Sequence, residues 1–275
     1  MKSVRPLLGT YVVVEVNDPD EGIARAATEA AFAAIASVQH LMSAFEPASD
    51  ASRINQRAHT EAVRVHPWTA EVLQLAAQIY RDSDGLFDIG IAPRLAGWEL
   101  LPPASVDIDY TQSSAAHLCL EDDVVRCTAP TRIDLGGIAK GYAVDRATNA
   151  ALKAGARSVL VNAGGDLRVA GDAEEPIYLR DPRQPAHARL AGVLQDGAIA
   201  TSGTYYSKRL HEGEEISAIV EPATLSPLLS DASHSVIAPT CAAADALTKV
   251  LALSGNPYHP AFARHGAQAL VLHAS

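Results

Sequence analysis

The segment at residues 133–145, IDLGGIAKGYAVD, has the residue types and spacing most suited to chemistry. Its apolar start predicts a strand that ends in two glycines and turns into a helix. Glycines let a ligand approach the backbone closely, and a helix N-terminus offers unpaired N–H groups to an anion. Lys140, one of only five lysines, falls in the first helical turn. The spacing matches neither of the two named phosphate loops, so an anion-binding turn and a plain strand–helix turn both stay open.

Two shorter segments place glycine beside polar residues. Residues 162–166, NAGGD, lie between predicted strands and are typical of a β-hairpin with a glycine turn. Residues 201–203, TSG, follow another predicted strand. Their hydroxyl and N–H groups could face a ligand, and a turn explains them equally well.

An acidic residue lies in an unusually apolar predicted helix at residues 241–254. Pro239 and Thr240 mark the start of that helix, and Asp245 falls in its second turn among alanines. Thr248 and Lys249 share the face of Asp245 at spacings of three and four residues. A carboxylate and a hydroxyl together can help hold a hard cation, whereas an Asp245–Lys249 ion pair is the simpler alternative.

The remaining elements indicate how these segments are positioned. An alanine-rich periodicity predicts a helix over residues 21–44, Thr69 could cap a second helix, and a third covers about 138–153. Residues 83–102 lack periodicity and predict an ordered loop, and residues 117–127 predict a hairpin. Short strands are predicted near 11–16, 157–161, 166–170, 176–180, 188–193, 197–201 and 216–220. Because strands and helices do not alternate regularly, the sequence predicts one α+β domain over residues 1–275 with a largely antiparallel sheet.

Composition excludes several classes of protein. The 275 residues carry 32 acidic and 22 basic side chains, a formal charge of −10, which argues against binding to nucleic acid or to an anionic membrane. No apolar run is long enough for a transmembrane helix. Glu15 interrupts the first apolar run too early for a signal-peptide core, so the sequence as written predicts a cytoplasmic protein.

Taken together and in this order, these segments resemble the ApbE family, the FAD:protein FMN transferases once called thiamine biosynthesis lipoproteins. The likeness spans about residues 8–255. It continues in four shorter segments, LGTY at 8–11, LMSAF at 41–45, SRIN at 52–55 and GLFDIG at 85–90.

The resemblance implies that FAD binds in a cleft of an α+β fold with Mg²⁺ at its pyrophosphate. It further implies that FMN moves from FAD onto a threonine of an acceptor flavoprotein while AMP leaves. Asp245 and Lys140 would be the catalytic residues, and the metal would be held by the backbone oxygen of Ala139 together with Asp245 and Thr248. The implied FAD-binding residues are Met42, Ser43, Phe45, Asp88, Gly137, Lys140, Gly141, Gly164, Gly165, Asp166, Thr201 and Ser202.

Three departures from the family pattern leave alternatives open. Ala218 stands where the family usually has histidine, Glu221 stands where it has aspartate, and the following Arg-Thr-Gly is absent. Lys249 stands where a threonine is common, so either Thr248 serves a shifted metal or the lysine replaces the ion. The family's members are often exported lipoproteins, unlike the sequence as written. Hydrolysis of FAD to FMN and AMP, and a non-catalytic flavin-binding or maturation-helper role, are the alternatives to transfer.

Overall fold

The structure, a computed structural model, describes residues 1–180, 188–204 and 208–273. Two short 3₁₀ helices cover Ile89–Ile91 and Ala115–His117. The α-helices are α1 (Glu21–Met42), α2 (Asp50–Arg57), α3 (Pro67–Asp82), α4 (Ala92–Gly97), α5 (Ala139–Lys153), α6 (Cys241–Ser254) and α7 (Pro260–Arg264). The strands are β1 (Lys2–Leu7), β2 (Thr10–Asn17), β3 (Val63–Arg64), β4 (Leu118–Glu121), β5 (Val124–Cys127), β6 (Ser158–Ala163), β7 (Asp166–Arg180), β8 (Ala188–Gly203), β9 (Arg209–His211), β10 (Glu214–Ile216), β11 (Val220–Glu221), β12 (Ser226–Pro227), β13 (Ser233–Ala238) and β14 (Gln268–Leu272).

A seven-stranded sheet in the order β1-β2-β6-β7-β8-β13-β14 forms the centre of the molecule. Every neighbouring pair in it is antiparallel. Helices α1, α5 and α6 pack on one face, where alternate strand residues such as Val12, Val14 and Val161 are buried with Phe32 and Leu247. This arrangement confirms the predicted α+β class with a largely antiparallel sheet.

Helix α1 forms where the alanine-rich periodicity predicts it. Asp20 caps its N-terminus by accepting hydrogen bonds from the N–H groups of Gly22 and Ile23. Its apolar stripe lies against the sheet, and Ser43 ends it in an extended conformation. Helix α1 therefore ends with Met42 buried and Ser43 at the helix boundary. No helix in the described ranges has the length and apolarity needed to cross a membrane.

The first half of the chain contains two corrections to the predicted elements. Helix α3 is capped by His66 rather than Thr69, because the Thr69 hydroxyl instead donates to the buried carboxylate of Asp50 at 2.7 Å. Residues 133–135, the apolar start of the glycine segment, do not form the predicted strand. The backbone of Ile133 pairs with the side-chain amide of Asn55 at 2.7 and 2.9 Å, which replaces a neighbouring strand.

In the second half of the chain, segments that the sequence predicts as separate strands form continuous strands. The segments 166–170 and 176–180 form the single strand β7, and 188–193 and 197–201 form β8. Register shifts along the β7–β8 pair absorb the irregular stretches between them. The predicted strand at 216–220 is instead split between β10 and β11, and residues 83–102 include the short helix α4.

Helices α5 and α6 cross at a contact that only glycine permits. A Cβ atom on Gly141 would lie 2.2 Å from the carbonyl oxygen of Cys241. The buried carboxylate of Asp145 accepts hydrogen bonds from the N–H groups of Cys241 and Ala242 at 2.9 and 2.8 Å, and Arg168 donates to it at 2.9 Å. This contact fixes the start of α6, and with it the position of Asp245.

Candidate functional site

The site lies around the N-terminus of α5, which begins without a side-chain cap. Lys140 is in its first turn, as the sequence predicts. The Lys140 ammonium forms an ion pair with the buried carboxylate of Asp166 at the start of β7, and it lies 4.0 Å from an oxygen of Asp245. Burial lowers the pKa of Lys140, while the nearby Asp245 raises it. Three of the predicted site residues are therefore brought together.

Asp245 is the buried centre of a second group of contacts on α6. Its side chain is 1% exposed, and its Oδ1 contacts the ammonium of Lys249, which also donates to the Asp245 carbonyl oxygen at 3.0 Å. Its Oδ2 accepts the N–H of Gly141 at 3.1 Å. The Thr248 hydroxyl donates to the same carbonyl at 2.6 Å and lies 2.7 Å from the Ser202 hydroxyl. The Asp245–Lys249 ion pair that the sequence left open is thus present.

Two neighbouring spaces meet at Asp134. The first, the outer cavity, has a volume of about 390 Å³ and is lined by Leu8, Gly9, Val38, Gln39, Met42, Ser43, Ala44, Phe45, Leu101, Asp134, Gly136, Ala139 and Lys140. The second, the inner recess, is lined by Leu86, Phe87, Asp88, Ile89, Ile91, Asp134, Gly137, Ala218, Ile219, Val220, Lys249 and Leu253. An elongated ligand that crosses Asp134 would therefore have Lys140 on one side and Lys249 on the other.

The predicted flavin contacts differ in their surroundings. Met42 is buried at the end of α1, whereas Phe45 is 67% exposed just beyond it. Both line the outer cavity together with Ser43. A buried apolar residue and an exposed aromatic ring on one cavity suit a planar aromatic ligand, so their role as flavin contacts stays a prediction with supporting geometry.

Asp88 lines the inner recess, but its carboxylate is engaged in hydrogen bonds within the protein. Its Oδ1 accepts the N–H groups of Gly90 and Ala115 at 2.6 and 2.8 Å, and Ser114 donates to Oδ2 at 2.7 Å. These bonds fasten the loop that shapes the recess. The structure therefore gives Asp88 a positioning role, and a direct contact with ligand stays a prediction.

The glycine and TSG segments do not all face this site. Gly164 and Gly165 form the two-residue hairpin turn that the sequence predicts, with φ of 66° and 108°. They line a separate cavity of about 640 Å³ together with Thr201. Because side chains alternate along a strand, Ser202 faces Thr248 while Thr201 faces away and contacts Ser235 at 2.8 Å. Residues 201–203 belong to strand β8 and do not form a turn. Their two hydroxyl groups point to opposite faces of the sheet and cannot both face one ligand.

The site around the N-terminus of α5 contains a further acidic residue, for which the sequence motifs predicted no role. Asp134 is half-buried and accepts the N–H of Gly136 at 3.1 Å. Burial raises the pKa of Asp134, while that N–H bond and the cationic side chains nearby lower it. The sequence signal for this residue was an acidic side chain two positions before the first of the two glycines.

We expect Asp134 to make anion binding dependent on pH. Because burial raises its pKa, Asp134 gains its negative charge as the pH rises through that raised value, and it then repels a phosphate in the cleft. Affinity for inorganic pyrophosphate should fall roughly tenfold across that step. Calorimetric titration with pyrophosphate from pH 3.5 upward measures it, with Asp134→Asn as the comparison. The same pH profile in Asp134→Asn would contradict this role.

Two of the expected metal ligands, Asp245 and Thr248, are engaged by other protein groups in this arrangement, and the Ala139 backbone oxygen stays a prediction. Lys249 occupies Oδ1 of Asp245, the Gly141 N–H occupies Oδ2, and the Thr248 hydroxyl is bonded to the Asp245 carbonyl and to Ser202. Within residues 1–180, 188–204 and 208–273, no group of three or more His, Cys, Asp or Glu side chains is arranged to hold a metal. A divalent cation here would meet an ammonium group instead of free oxygen ligands.

The fold and the cleft define an α+β protein whose helix N-terminus and lysines suit an elongated anionic ligand. The model of the ApbE family matches residues 8–271, and the chain belongs to that family. The chain is 28% identical over 271 residues to the FAD:protein FMN transferase of Rhodobacter capsulatus, covering 94% of itself and 52% of that relative. It is therefore about half as long as this relative. With the FAD:protein FMN transferase of Vibrio cholerae it shares 27% identity, over 80% of the chain and 70% of that protein.

Solved structures agree with this assignment. The ApbE protein of Thermotoga maritima aligns with a TM-score of 0.83 and 25% identity, over 98% of this chain and 93% of that chain. A mutant of the flavin transferase ApbE from Vibrio cholerae aligns with the same TM-score at 24% identity, over 98% and 92% of the two chains. The second likeness shows the fold alone.

Proposed function

We propose that this protein transfers FMN from FAD to a threonine of an acceptor flavoprotein and releases AMP. The observation that carries the proposal is the uncapped N-terminus of α5 with two lysine ammonium groups at the junction of two cavities. N–H groups at a helix start and adjacent cations favour a pyrophosphate. The names of the relatives support FAD as its source.

In this proposal the chain acts mainly by binding and orienting. The flavin lies in the outer cavity against Met42 and Phe45, and the pyrophosphate lies at Gly137 with Lys140. The acceptor hydroxyl oxygen forms a bond to the FMN phosphorus, the bond from that phosphorus to the bridging oxygen breaks, and AMP leaves with the bridging oxygen. Lysine ammonium groups stabilise the negative charge on the transferring phosphoryl group. The proton of the acceptor hydroxyl is released in the same step.

The direct test combines two products in one incubation. We expect a mixture of the protein, FAD and a threonine-bearing flavoprotein acceptor to release AMP and to raise the intact mass of the acceptor by one esterified FMN. An acceptor with valine in place of the threonine is the control and should keep its mass. AMP without a mass change would indicate hydrolysis of FAD, and neither product would overturn the proposed activity.

A non-catalytic flavin-binding role is the second candidate, and one observation favours it. Ala218, which stands where the family usually has histidine, lines the inner recess. A methyl group there cannot accept the proton of an acceptor hydroxyl. FAD binding without AMP release in the incubation would support this second role.

We expect the protein to bind FAD at least about tenfold more tightly than riboflavin, because only FAD offers phosphate groups to the ammonium groups and helix N-terminus. Quenching of flavin fluorescence measures both affinities. Lys140→Met should reduce the difference between the two ligands, since it removes one of the cations. Equal affinity of the unaltered protein for FAD and riboflavin would remove the pyrophosphate site.

A further inference from the structure

We infer that the ammonium group of Lys249 takes the place of a divalent cation between Asp245 and the ligand pyrophosphate, which rests on the proposed function. Lys249 lies one helical turn after Asp245, so a lysine stem can fold back onto the carboxylate. Its ammonium group contacts Oδ1 and donates to the main-chain oxygen of the same residue at 3.0 Å. It thus occupies one of the two carboxylate oxygens that an ion at Asp245 would use.

The same ammonium group also faces the ligand space. The Lys249 side chain is 19% exposed and lines the inner recess with Phe87, Asp134 and Gly137. An ammonium group has three N–H donors. Within the described residues, this ammonium group donates to Oδ1 and to the main-chain oxygen of Asp245. The third N–H donor can therefore serve a phosphate oxygen.

Space at Gly137 lets the lysine reach this position. A Cβ atom at residue 137 would be 3.4 Å from Cε of Lys249 and 3.4 Å from the ring of Phe87. A methyl group at residue 137 would therefore touch the lysine stem in ordinary van der Waals contact, and a longer side chain would crowd it. Gly137 and Lys249 therefore lie side by side in the recess. The spacing within either segment alone does not predict this proximity.

Electrostatics argue against a divalent ion beside this lysine. Lys140 already lies 4.0 Å from Oδ2 of Asp245, so two ammonium groups share one carboxylate. A divalent ion held by Asp245 would lie within a few ångströms of both positive charges. The repulsion of one such ammonium, in a partly buried site, is large enough to lower ion affinity at least about tenfold.

The first experiment uses Mn²⁺ alone as the probe, without FAD. Electron paramagnetic resonance titration of the full chain should show at least about tenfold tighter Mn²⁺ binding in Lys249→Thr than in the unaltered protein. Lys153→Thr, at the exposed end of α5, is the matched control and should behave as the unaltered protein does. Tight Mn²⁺ binding by the unaltered protein would overturn the inference.

The second experiment measures FAD affinity with Mg²⁺ and with excess chelator. The affinity of the unaltered protein should change less than about twofold between the two conditions, whereas Lys249→Thr should bind FAD well only with Mg²⁺. Lys249→Gln serves as a second variant if Lys249→Thr does not fold. A large loss of FAD affinity on chelation in the unaltered protein would contradict the inference. If no variant binds FAD but the Mn²⁺ results hold, the proposed function fails and the role of Lys249 as the internal cation stands.

Discussion

Gly141→Ala is expected to destabilise the protein strongly, although it adds only one methyl group. The new Cβ atom would lie 2.2 Å from the carbonyl oxygen of Cys241 and 2.9 Å from the amide nitrogen of Ala242. Both atoms belong to the backbone of α6 and cannot rotate away. Separating α5 from α6 should cost roughly 2–3 kcal/mol, or a decrease in Tm of about 5–10 °C. Thermal unfolding followed by circular dichroism measures the effect.

The matched control for this substitution is Gly97→Ala. Gly97 ends α4, and nothing lies within 4 Å of a Cβ atom built there. The free energy of unfolding of Gly97→Ala should stay within about 0.5 kcal/mol of that of the unaltered protein. A similar Tm for Gly141→Ala and Gly97→Ala would show that α5 and α6 do not depend on this close contact. The ligand contact implied by the family resemblance would then be the remaining role for Gly141.

Features governed by local sequence could be predicted well. Helix α6 begins after the Thr240 cap, and α5 begins two residues after the second glycine, because capping and backbone freedom depend on nearby residues. The hairpin turn at Gly164 and Gly165 follows from the same kind of signal. These local rules are also what brought Lys140 and Asp245 to attention.

Features that depend on distant partners could not be predicted in this way. Residues 133–135 look like the end of a strand, but the backbone of Ile133 pairs with Asn55, 78 positions earlier. Thr69 looks like a cap, but the carboxylate of Asp50 takes its hydroxyl. Each is a case in which one tertiary hydrogen bond overrides a local preference.

The grouping of the site residues was the hardest part to predict, because it depends on strand register. Thr201 and Ser202 are adjacent in sequence, yet the pairing of β8 with β13 turns them to opposite faces of the sheet. Only Ser202 reaches the contacts around Asp245. A shift of one residue in that register would exchange them. The motif therefore locates the segment, and the sheet decides which of its hydroxyl groups faces the charged site.

The second large effect is expected for Asp245→Ala, and its interpretation depends on Lys249. Removing a carboxylate that is 1% exposed leaves the Lys249 ammonium without its partner in a largely buried place. The loss should be roughly 3 kcal/mol in the free energy of unfolding. The double variant Asp245→Ala/Lys249→Met removes both charges and should lose roughly half as much. Urea unfolding of the two single variants and the double variant measures the coupling energy.

An exposed pair provides the control for this cycle, and FAD binding separates the two explanations of Asp245. Glu15→Ala/Lys2→Met removes a pair whose side chains are 48% and 65% exposed, so its coupling should be near zero.

If Lys249 is the internal cation, Asp245→Ala frees an ammonium group and FAD affinity should stay within about threefold. If Asp245 instead holds a divalent ion, that affinity should fall together with any response to Mg²⁺. Additive losses in the Asp245 and Lys249 variants would show that the pair is not coupled, and Asp245 would then act on the ligand without Lys249.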